Sequence, residues 1–554
     1  MTGPTQDSTH GADATVPATG RQYDVVVLGG GLAGLTLSIQ LKRRFPAIDV
    51  LVLERRRHPV PAAAHKVGES SVEIGAHYFD TVLGLEQHLK QSQLKKFGFR
   101  FFFSEGRTDV DGVTELGASG YLPTPSYQLD RGIFENYLGE HARELGVSFV
   151  DGAVVRNFEL GKDGAIHRVV YELEGQTHTV TSRWLVDAAG RAGLLKRKLG
   201  LAQDNAHDAN AVWFRIGAKI DIDEWSTDRD WLQRCDPPLR WLSTNHLCGE
   251  GYWAWLIPLA SGSHSVGIVC DANTHPLHTM NTFEKSLQWF HKFQPRLGQE
   301  IQSKQHLLQD FCFLRNFSYG CKQVFSGDRW ALTGEAGVFL DPFYSPGSDF
   351  IAISNTYIVD LIDRDLRGEH VGGRAHVYQQ LYFSFYESTL SLYTDQYAIF
   401  GDPEAMPLKV IWDYTYYWGI LCQLFFQNRL TDLNSISKLS VELNHSRALN
   451  QAMQDFMREW SKHSAKRNAA VLLDQAALPW FYELNRGLRD KLDEAGFIAR
   501  LREYTALLNS LAAQIVERAC DQCPDLKADQ VRELLSGAHA ASAGVGGLLF
   551  DAAA

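Results

Sequence analysis

The 554-residue chain is short of positive charge: 54 lysines and arginines stand against 65 aspartates and glutamates, a formal net charge of −11. Nucleic-acid surfaces need clustered Lys and Arg to neutralise phosphates, so this balance argues against nucleic-acid binding. Long apolar runs are missing too. No uninterrupted stretch reaches the roughly 18 residues a membrane span requires. The N-terminus, MTGPTQDSTHGADATVPATGRQ, lacks the basic start and apolar run of a signal peptide, and residues 1–22 read as a disordered tail. Cysteines are few and without a disulfide rhythm: Cys235, Cys248, Cys270, Cys312, Cys321, Cys422, Cys520 and Cys523. Cys520 and Cys523 are the one close pair, and without a second ligand pair they read as helix-surface thiols. No metal site and a reducing cytoplasm are expected.

Aromatic residues, in contrast, are abundant: 13 Trp, 20 Tyr and 30 Phe supply enough ring area for a large core and for an apolar, ring-lined pocket. Order is expected from Tyr23. DVVVLGG has the β-branched run of a buried parallel strand and leads into Gly29-Gly30-Gly31-Leu32-Ala33-Gly34 and the apolar-periodic helix LTLSIQLKRRF. A second strand, IDVLVLE, ends at Glu54. A bare GxGxxG is weak, but strand, glycine turn, helix, strand and terminal acid in this order form a dinucleotide-binding fingerprint. Gly29, Gly31 and Gly34 let backbone approach a pyrophosphate, the helix start offers N–H groups and positive dipole, and Glu54 can accept from a ribose hydroxyl.

Beyond this lie a helix from Phe134 to Gly146, a strand meander that places Asp187 to Arg191 at a strand end, and further strands including YWAWLIPL and SHSVGIVC. RWALTGEAGVFLDPFYSPGSDFIAISNTYIVDLI then repeats strand, glycine turn, loop and long helix. The expected units are a core over residues 23–365, a helical covering region over 366–536 and a flexible tail over 537–554. The helical part holds IWDYTYYWGILCQLFF, an aromatic block with Asp413 inside it that is read as packing over the front domain.

Four pieces together resemble the flavin-dependent halogenases, which share the fold of the FAD aromatic monooxygenases: Gly29 to Gly34 with Glu54, HKVGESS at His65 to Ser71, WAWLIP at Trp253 to Pro258, and GEAGVFLDPFYSPG at Gly334 to Gly347. The resemblance implies an α/β fold: a Rossmann-like FAD-binding domain with an inserted β-sheet substrate region and an all-helical C-terminal region. It implies FAD, used as FADH2, with O2 and chloride or bromide. Arg131 lies along the FAD in such proteins, Asp341 contacts its ribityl or ribose hydroxyls, and Ser345, Pro346 and Gly347 at a helix N-terminus serve the flavin edge or a halide. Trp253 and Trp255 point to one strand face, with Pro258 ending the run. By resemblance they wall the flavin from the organic substrate, so that its C4a-hydroperoxide meets halide and yields HOCl or HOBr. Tyr252 stands where the usual motif has glycine.

The family aims hypochlorous acid with a lysine on the strand after GES. Matching apolar positions in QSQLKKFGFRFFF assigns this role to Lys96, with Lys95 the alternative if the register slips by one and Lys66 a third candidate. Strand side chains alternate, so only one of Lys95 and Lys96 can face inward. Tyr344 replaces the glutamate of tryptophan halogenases, which points to the phenol or pyrrole branch. A base for a phenol is not evident; His65, His77 and Glu69 lie near the right segment, Glu69 in a structural role. The implied reaction partners are a separate NAD(P)H flavin reductase and a small aromatic substrate, free or tethered to a carrier protein. The net −11 favours a free one, a balance that a basic patch such as KRNAA after Ser464 would reverse. The competing expectations are an FAD aromatic hydroxylase, an alkene-saturating flavin reductase and a non-catalytic flavin-binding protein.

Overall fold

Gln22–Leu28 is the strand around which the first sheet is built, and from Val25 onward it is buried on both faces, as an unbroken β-branched run requires. In this computed structural model, which describes residues 20–62, 68–537 and 547–550, that strand runs parallel to Val50–Glu54 on one side and Gln176–Asp187 on the other. Ser148–Asp151 and Trp330–Leu332 extend the parallel part; His167–Leu173 and Val154–Glu159 add an antiparallel edge, giving seven strands. The register sets Leu28 beside both Leu53 and Asp187, so three strand ends stop together. That common edge is where doubly wound sheets hold ligands.

Two helices cover this edge. Leu32–Arg44 starts directly after the glycine turn, and Gly347–Leu366 lies against it, with Asn355 Nδ2 donating to Ala33 O at 3.3 Å and to Thr36 Oγ1 at 3.2 Å. The second sheet has eight strands, in the order Leu308–Leu314, Ala209–Ile216, His264–Asp271, Tyr252–Pro258, Thr244–Gly249, Phe99–Phe102, Glu115–Gly117 and Leu472–Asp474. Its alternation is strict at Tyr252–Pro258: Trp253 and Trp255 belong to the main core, whereas Tyr252, Ala254 and Leu256 pack in a separate cluster behind the sheet.

The C-terminal region is helical, with Gly372–Leu390, Ala405–Tyr416, Ser440–His463 and Glu494–Gln522 as its main elements. Two expectations need correction. The region is not all-helical, because Leu472–Asp474 joins the second sheet in parallel with Glu115–Gly117, tied there by Asp474 accepting from Ser119 N at 2.9 Å. Nor is the chain past residue 537 uniformly a loose tail: Leu548 is buried, its carbonyl accepts from Trp480 Nε1 at 3.1 Å, and its N–H donates to Gln514 Oε1 at 2.9 Å. At the other end the first strand starts at Gln22 and Gly20 N already bonds Thr179 O at 2.7 Å, inside the expected tail. The rest of both expected tails lies outside the described residues, as do His65 and Lys66. Among the described residues no helix is long and apolar enough to cross a membrane.

Candidate active site

A cleft of about 820 Å³ opens at the aligned strand ends. It is lined by Gly29, Gly31, Glu54, Arg131, Trp253, Trp255, Asp341, Ser345, Pro346 and Gly347, so the fold collects residues from five separate stretches of chain. The glycine turn explains its own composition. Gly29 has φ +110° and a side chain there would meet Ala188 O at 2.5 Å; a Cβ at Gly34 would sit 2.0 Å from Gly29 O. At Gly31, in contrast, a Cβ would meet nothing within 4 Å, because the position faces the cleft. Glu54 braces the turn, accepting from Gly30 N at 2.7 Å and Arg56 N at 2.8 Å.

At the far end of the cleft, Gly347–Leu366 begins behind Pro346, and Ser348 Oγ is buried there without a hydrogen-bond partner. An open glycine cradle at one end and an orphan hydroxyl with helix N–H groups at the other fit a long dinucleotide such as FAD. Arg131, at the start of Arg131–Glu144, pairs with Glu135 at 2.5 Å and also lines the cleft; burial pulls its guanidinium down to about 10. Asp341 lines the cleft and is also braced by the protein. Its Oδ1 accepts from Phe343 N at 2.8 Å, and its Oδ2 meets His207 Nε2 at 2.6 Å and accepts from Tyr397 OH at 2.5 Å. The carboxylate is therefore committed to tying the turn to the helical region, and His207 and Tyr397, which no motif marked, hold it.

Trp253 and Trp255 stand side by side at 5.6 Å between centroids, anchored by Trp253 Nε1 to Tyr397 OH at 3.3 Å and Trp255 Nε1 to Ser265 Oγ at 3.1 Å. Phe343 packs on Trp253 at 5.1 Å and on Tyr344 at 4.3 Å, continuing this wall away from the cleft. Pro258 pairs with His264 at the strand end and does not line the cleft.

Behind the wall lies a smaller pocket of about 60 Å³ lined by Val72, Phe99, Tyr344, Asp349, Asp413 and a set of tyrosines. Pro346 and Phe350 border both cavities. Lys96 sits between them: its amine donates to Ser70 Oγ at 2.9 Å on the cleft side and to Ser71 O at 3.0 Å, and lies 3.3 Å from the centroid of the Phe99 ring on the pocket side. Its side chain is buried, while Lys95 points outward onto Tyr121 at 4.3 Å. Burial pulls the Lys96 amine well below the usual lysine range, and the carboxyls of Glu73 and Asp349 oppose that. The same burial raises Glu73 and lifts Asp349 to about 8, although Tyr417 OH donates to Asp349 at 2.6 Å and Gly75 N at 2.8 Å. Lys96, Glu73 and Asp349 are thus three buried ionisable groups that feel one another's charge, a pattern that marks candidate proton-transfer sites.

Of the other candidates, Glu69 is held by Arg215 at 2.7 Å, and His77 stacks on Phe426 at 4.1 Å. Glu73 and Asp349 escaped sequence reading although both adjoin quoted motifs, because Asp349 meets Gly75 across 274 residues of chain. The cysteines are all free, and among the described residues no group of three or more His, Cys, Asp or Glu could hold a metal.

A family profile described as an FAD-binding domain matches residues 22–259. The fold and cleft thus define an FAD-binding flavoprotein. The chain is 24% identical over 454 residues to a flavin-dependent halogenase of Dictyostelium discoideum, covering 74% of this chain and 73% of the relative. It is 26% identical over 361 residues to a 1H-pyrrole-2-carbonyl peptidyl-carrier-protein brominase of Pseudoalteromonas luteoviolacea, covering 63% and 79%. The solved structure of the halogenase PltM with phloroglucinol and FAD superposes with TM-score 0.62 at 17% identity, covering 93% of this chain and 95% of that one. The chain is thus similar to flavin-dependent halogenases over most of its length, and its fold is shared with a solved one.

Proposed function

We propose that the protein uses reduced FAD from a separate NAD(P)H flavin reductase, O2 and chloride or bromide to halogenate a small electron-rich aromatic, a phenol or a pyrrole-like ring, with Lys96 as the catalytic residue. The observation that carries this is the placement of the Lys96 amine, buried between the cofactor cleft and the inner pocket and bonded on the cleft side to Ser70. FAD would be held by Gly29 and Gly31 at its pyrophosphate, with Gly34 letting the helix close onto the turn, by Glu54 at the adenosine ribose, by Arg131 along its length and by the Ser345–Gly347 turn at the flavin edge, which also offers N–H groups to a halide. When bound in reduced form it supplies, with O2 and halide, the hypohalous acid.

The chain's own residues do the rest. Trp253 and Trp255 keep the organic ring out of the cleft, so oxidising equivalents reach it only as the small hypohalous acid. Lys96 as ammonium donates a hydrogen bond to the oxygen of that acid, which polarises the halogen toward the ring and gives the departing hydroxide a proton. Asp349 and Glu73, both raised by burial, restore or take that proton. The inner pocket is smaller than the ~150 Å³ cavity that binds benzene, so a ring enters by displacing a packed side chain. That supports a small free substrate, as does the acidic net charge; the carrier-bound pyrrole of one relative keeps a tethered substrate in the test.

The test is product mass after incubation with FAD, a flavin reductase, NADH, O2 and chloride or bromide, across phenols, pyrroles and carrier-bound pyrrolyl groups. Halide incorporation is expected. A product gaining one oxygen, or two hydrogens, overturns the proposal in favour of a hydroxylase or an alkene reductase.

A further inference from the structure

The inner pocket carries a buried polar chain that the reaction as described leaves idle. Tyr344 OH donates to Asp413 Oδ2 at 2.8 Å, and Lys409 Nζ donates to the same oxygen at 2.7 Å. Gln454 Nε2 donates to Asp413 Oδ1 at 2.7 Å, and Lys409 also reaches Gln454 Oε1 at 2.6 Å. Asp413, Lys409 and Gln454 are buried within the helical region, and both Tyr344 and Asp413 line the pocket. Removing a carboxylate and an ammonium from water is costly, and an apolar pair of the same volume would pack the spot as well or better. Tyr344 is moreover held in the left-handed region at φ 64°, with Ser345 at 53°, a conformation that non-glycine residues keep only where their surroundings impose it. Both observations indicate a hydroxyl aimed on purpose.

We propose that Tyr344 and Asp413 form a proton relay for the hydroxyl of a phenol, Tyr344 touching the substrate and Asp413 receiving the proton, so that this site selects phenols over pyrroles. The proposal rests on the halogenase reading above. It also accounts for the missing carboxyl beside Ser345: the acid is present, one hydrogen bond further away.

In the forward step the phenol O–H proton passes to Tyr344 O while the Tyr344 proton moves to Asp413. The ring carbon ortho or para to the phenol oxygen takes the halogen of hypohalous acid. The C–Cl bond forms, the Cl–O pair leaves with oxygen as hydroxide, and a proton from the Lys96 ammonium makes it water. The halogenated dienone then loses its ring proton to the neutral Lys96 amine and regains its oxygen-bound proton from Asp413 through Tyr344. The sum is phenol plus HOCl giving chlorophenol plus water, with every protein group restored.

The charges around the relay suit this task. Burial and Asp413 hold the Tyr344 hydroxyl well above the usual phenol range, so it hands a proton on without resting as an anion. Burial raises Asp413 above the usual carboxylate range, opposed by Lys409, Gln454 and Tyr344, which brings it closer to a phenol. Lys409 is pulled down by burial and held up by Asp413. Tyr393, Tyr414, Tyr416, Tyr417 and Asp349 complete the ionisable groups on the pocket wall.

The experiment compares wild type, Tyr344→Phe and Asp413→Asn in the full flavin reductase, FAD, O2 and chloride system. Substrates are resorcinol, nitro- and chloro-resorcinols of falling hydroxyl pKa, and pyrrole-2-carboxylate. Both variants should lose about 100-fold or more in kcat on resorcinol, and the loss should shrink to within about 3-fold on phenols already ionised at the assay pH, with flavin reoxidation unchanged. A merely structural role would lower all substrates alike. Because Asp413→Asn leaves Lys409 buried beside an amide and can misfold, Tyr344→Phe, which keeps the Asp413–Lys409 pair, decides the outcome. A Tyr344→Phe enzyme with full activity on resorcinol, or with a loss independent of substrate acidity, overturns the relay. So does a wild type that halogenates pyrrole-2-carboxylate but no phenol. If wild type incorporates halide into nothing, the halogenase reading itself falls and the relay with it.

Discussion

Replacing Lys96 by Met removes one amine from the wall between cleft and inner pocket while keeping nearly the same length of chain. The amine makes two hydrogen bonds, to Ser70 Oγ at 2.9 Å and Ser71 O at 3.0 Å. Bonds from a charged donor contribute about 1.5–3 kcal/mol each, but a buried ammonium forfeits several kcal/mol of hydration. The two effects oppose, so stability should change by no more than about 2 kcal/mol and the fold should persist. Activity should respond quite differently. Loss of a positioned proton donor costs about 10²–10⁴-fold, and here the same group also orients the hypohalous acid, so halogenation by Lys96→Met should fall by at least about 10³-fold. Reoxidation of reduced FAD, followed by absorbance, and hypochlorous acid, captured by a chlorine-accepting dye, should continue at the wild-type rate. Lys95→Met is the control: the exposed Lys95 packs on Tyr121, a contact worth about 0.5–1 kcal/mol, and activity should stay within about 3-fold. A Lys96→Met enzyme that retains a tenth of wild-type halogenation, or a Lys95→Met enzyme that loses it, refutes the assignment.

The cofactor cleft yields a contrasting pair. Gly34→Ala sets a methyl 2.0 Å from Gly29 O and should abolish flavin binding and destabilise the protein by about 1–3 kcal/mol, whereas the methyl of Gly31→Ala meets no protein atom within 4 Å and should weaken FAD with the melting temperature of the FAD-free protein unchanged; flavin fluorescence and thermal melts read both. Asp349, raised to about 8 by burial, binds a proton in the folded state that the unfolded chain releases near the ordinary carboxylate value of about 4. Its contribution is present below pH 4 and is lost as pH rises from about 4 through 8. Asp349→Asn, which mimics the protonated acid, should therefore gain in melting temperature relative to wild type between pH 5 and 9; a difference that is flat or reversed with pH disproves the shift. Trp253→Ala should cost about 3–5 kcal/mol and breach the wall, so that flavin is consumed faster than product forms; unchanged coupling in a folded variant would remove the separating role from this ring.

The chain order of strand, glycine turn, helix, strand and acid was legible without coordinates because each step is local: Gly34 is fixed by its contact with Gly29 O within one βα unit, and the Trp253/Trp255 pair by strand alternation, whereas the approach of Ala188 to Gly29 is made only by the fold. Lys96 against Lys95 was also a local question, since adjacent strand residues face opposite ways, although a register had to be chosen by matching. The pieces that escaped are those whose meaning is made by distant partners. The groups that brace Asp341, His207 and Tyr397, reach it from 134 and 56 residues away. Leu472–Asp474 has no strand pattern of its own length and becomes a strand only because Glu115–Gly117 offers an edge.

Sequence alone thus determined a dinucleotide fold, its cofactor turn and a short roster of candidate lysines and tryptophans, all of which depend on dihedral preference and period. Tertiary structure alone decided which of those groups share a dry volume. Burial beside Glu73 and Asp349 alters the Lys96 amine, and packing of the helical cover brings Asp413 to Tyr344 across 69 residues. Charge state depends on the local solvent and on neighbours in space, and neither quantity is carried by the order of residues along the chain.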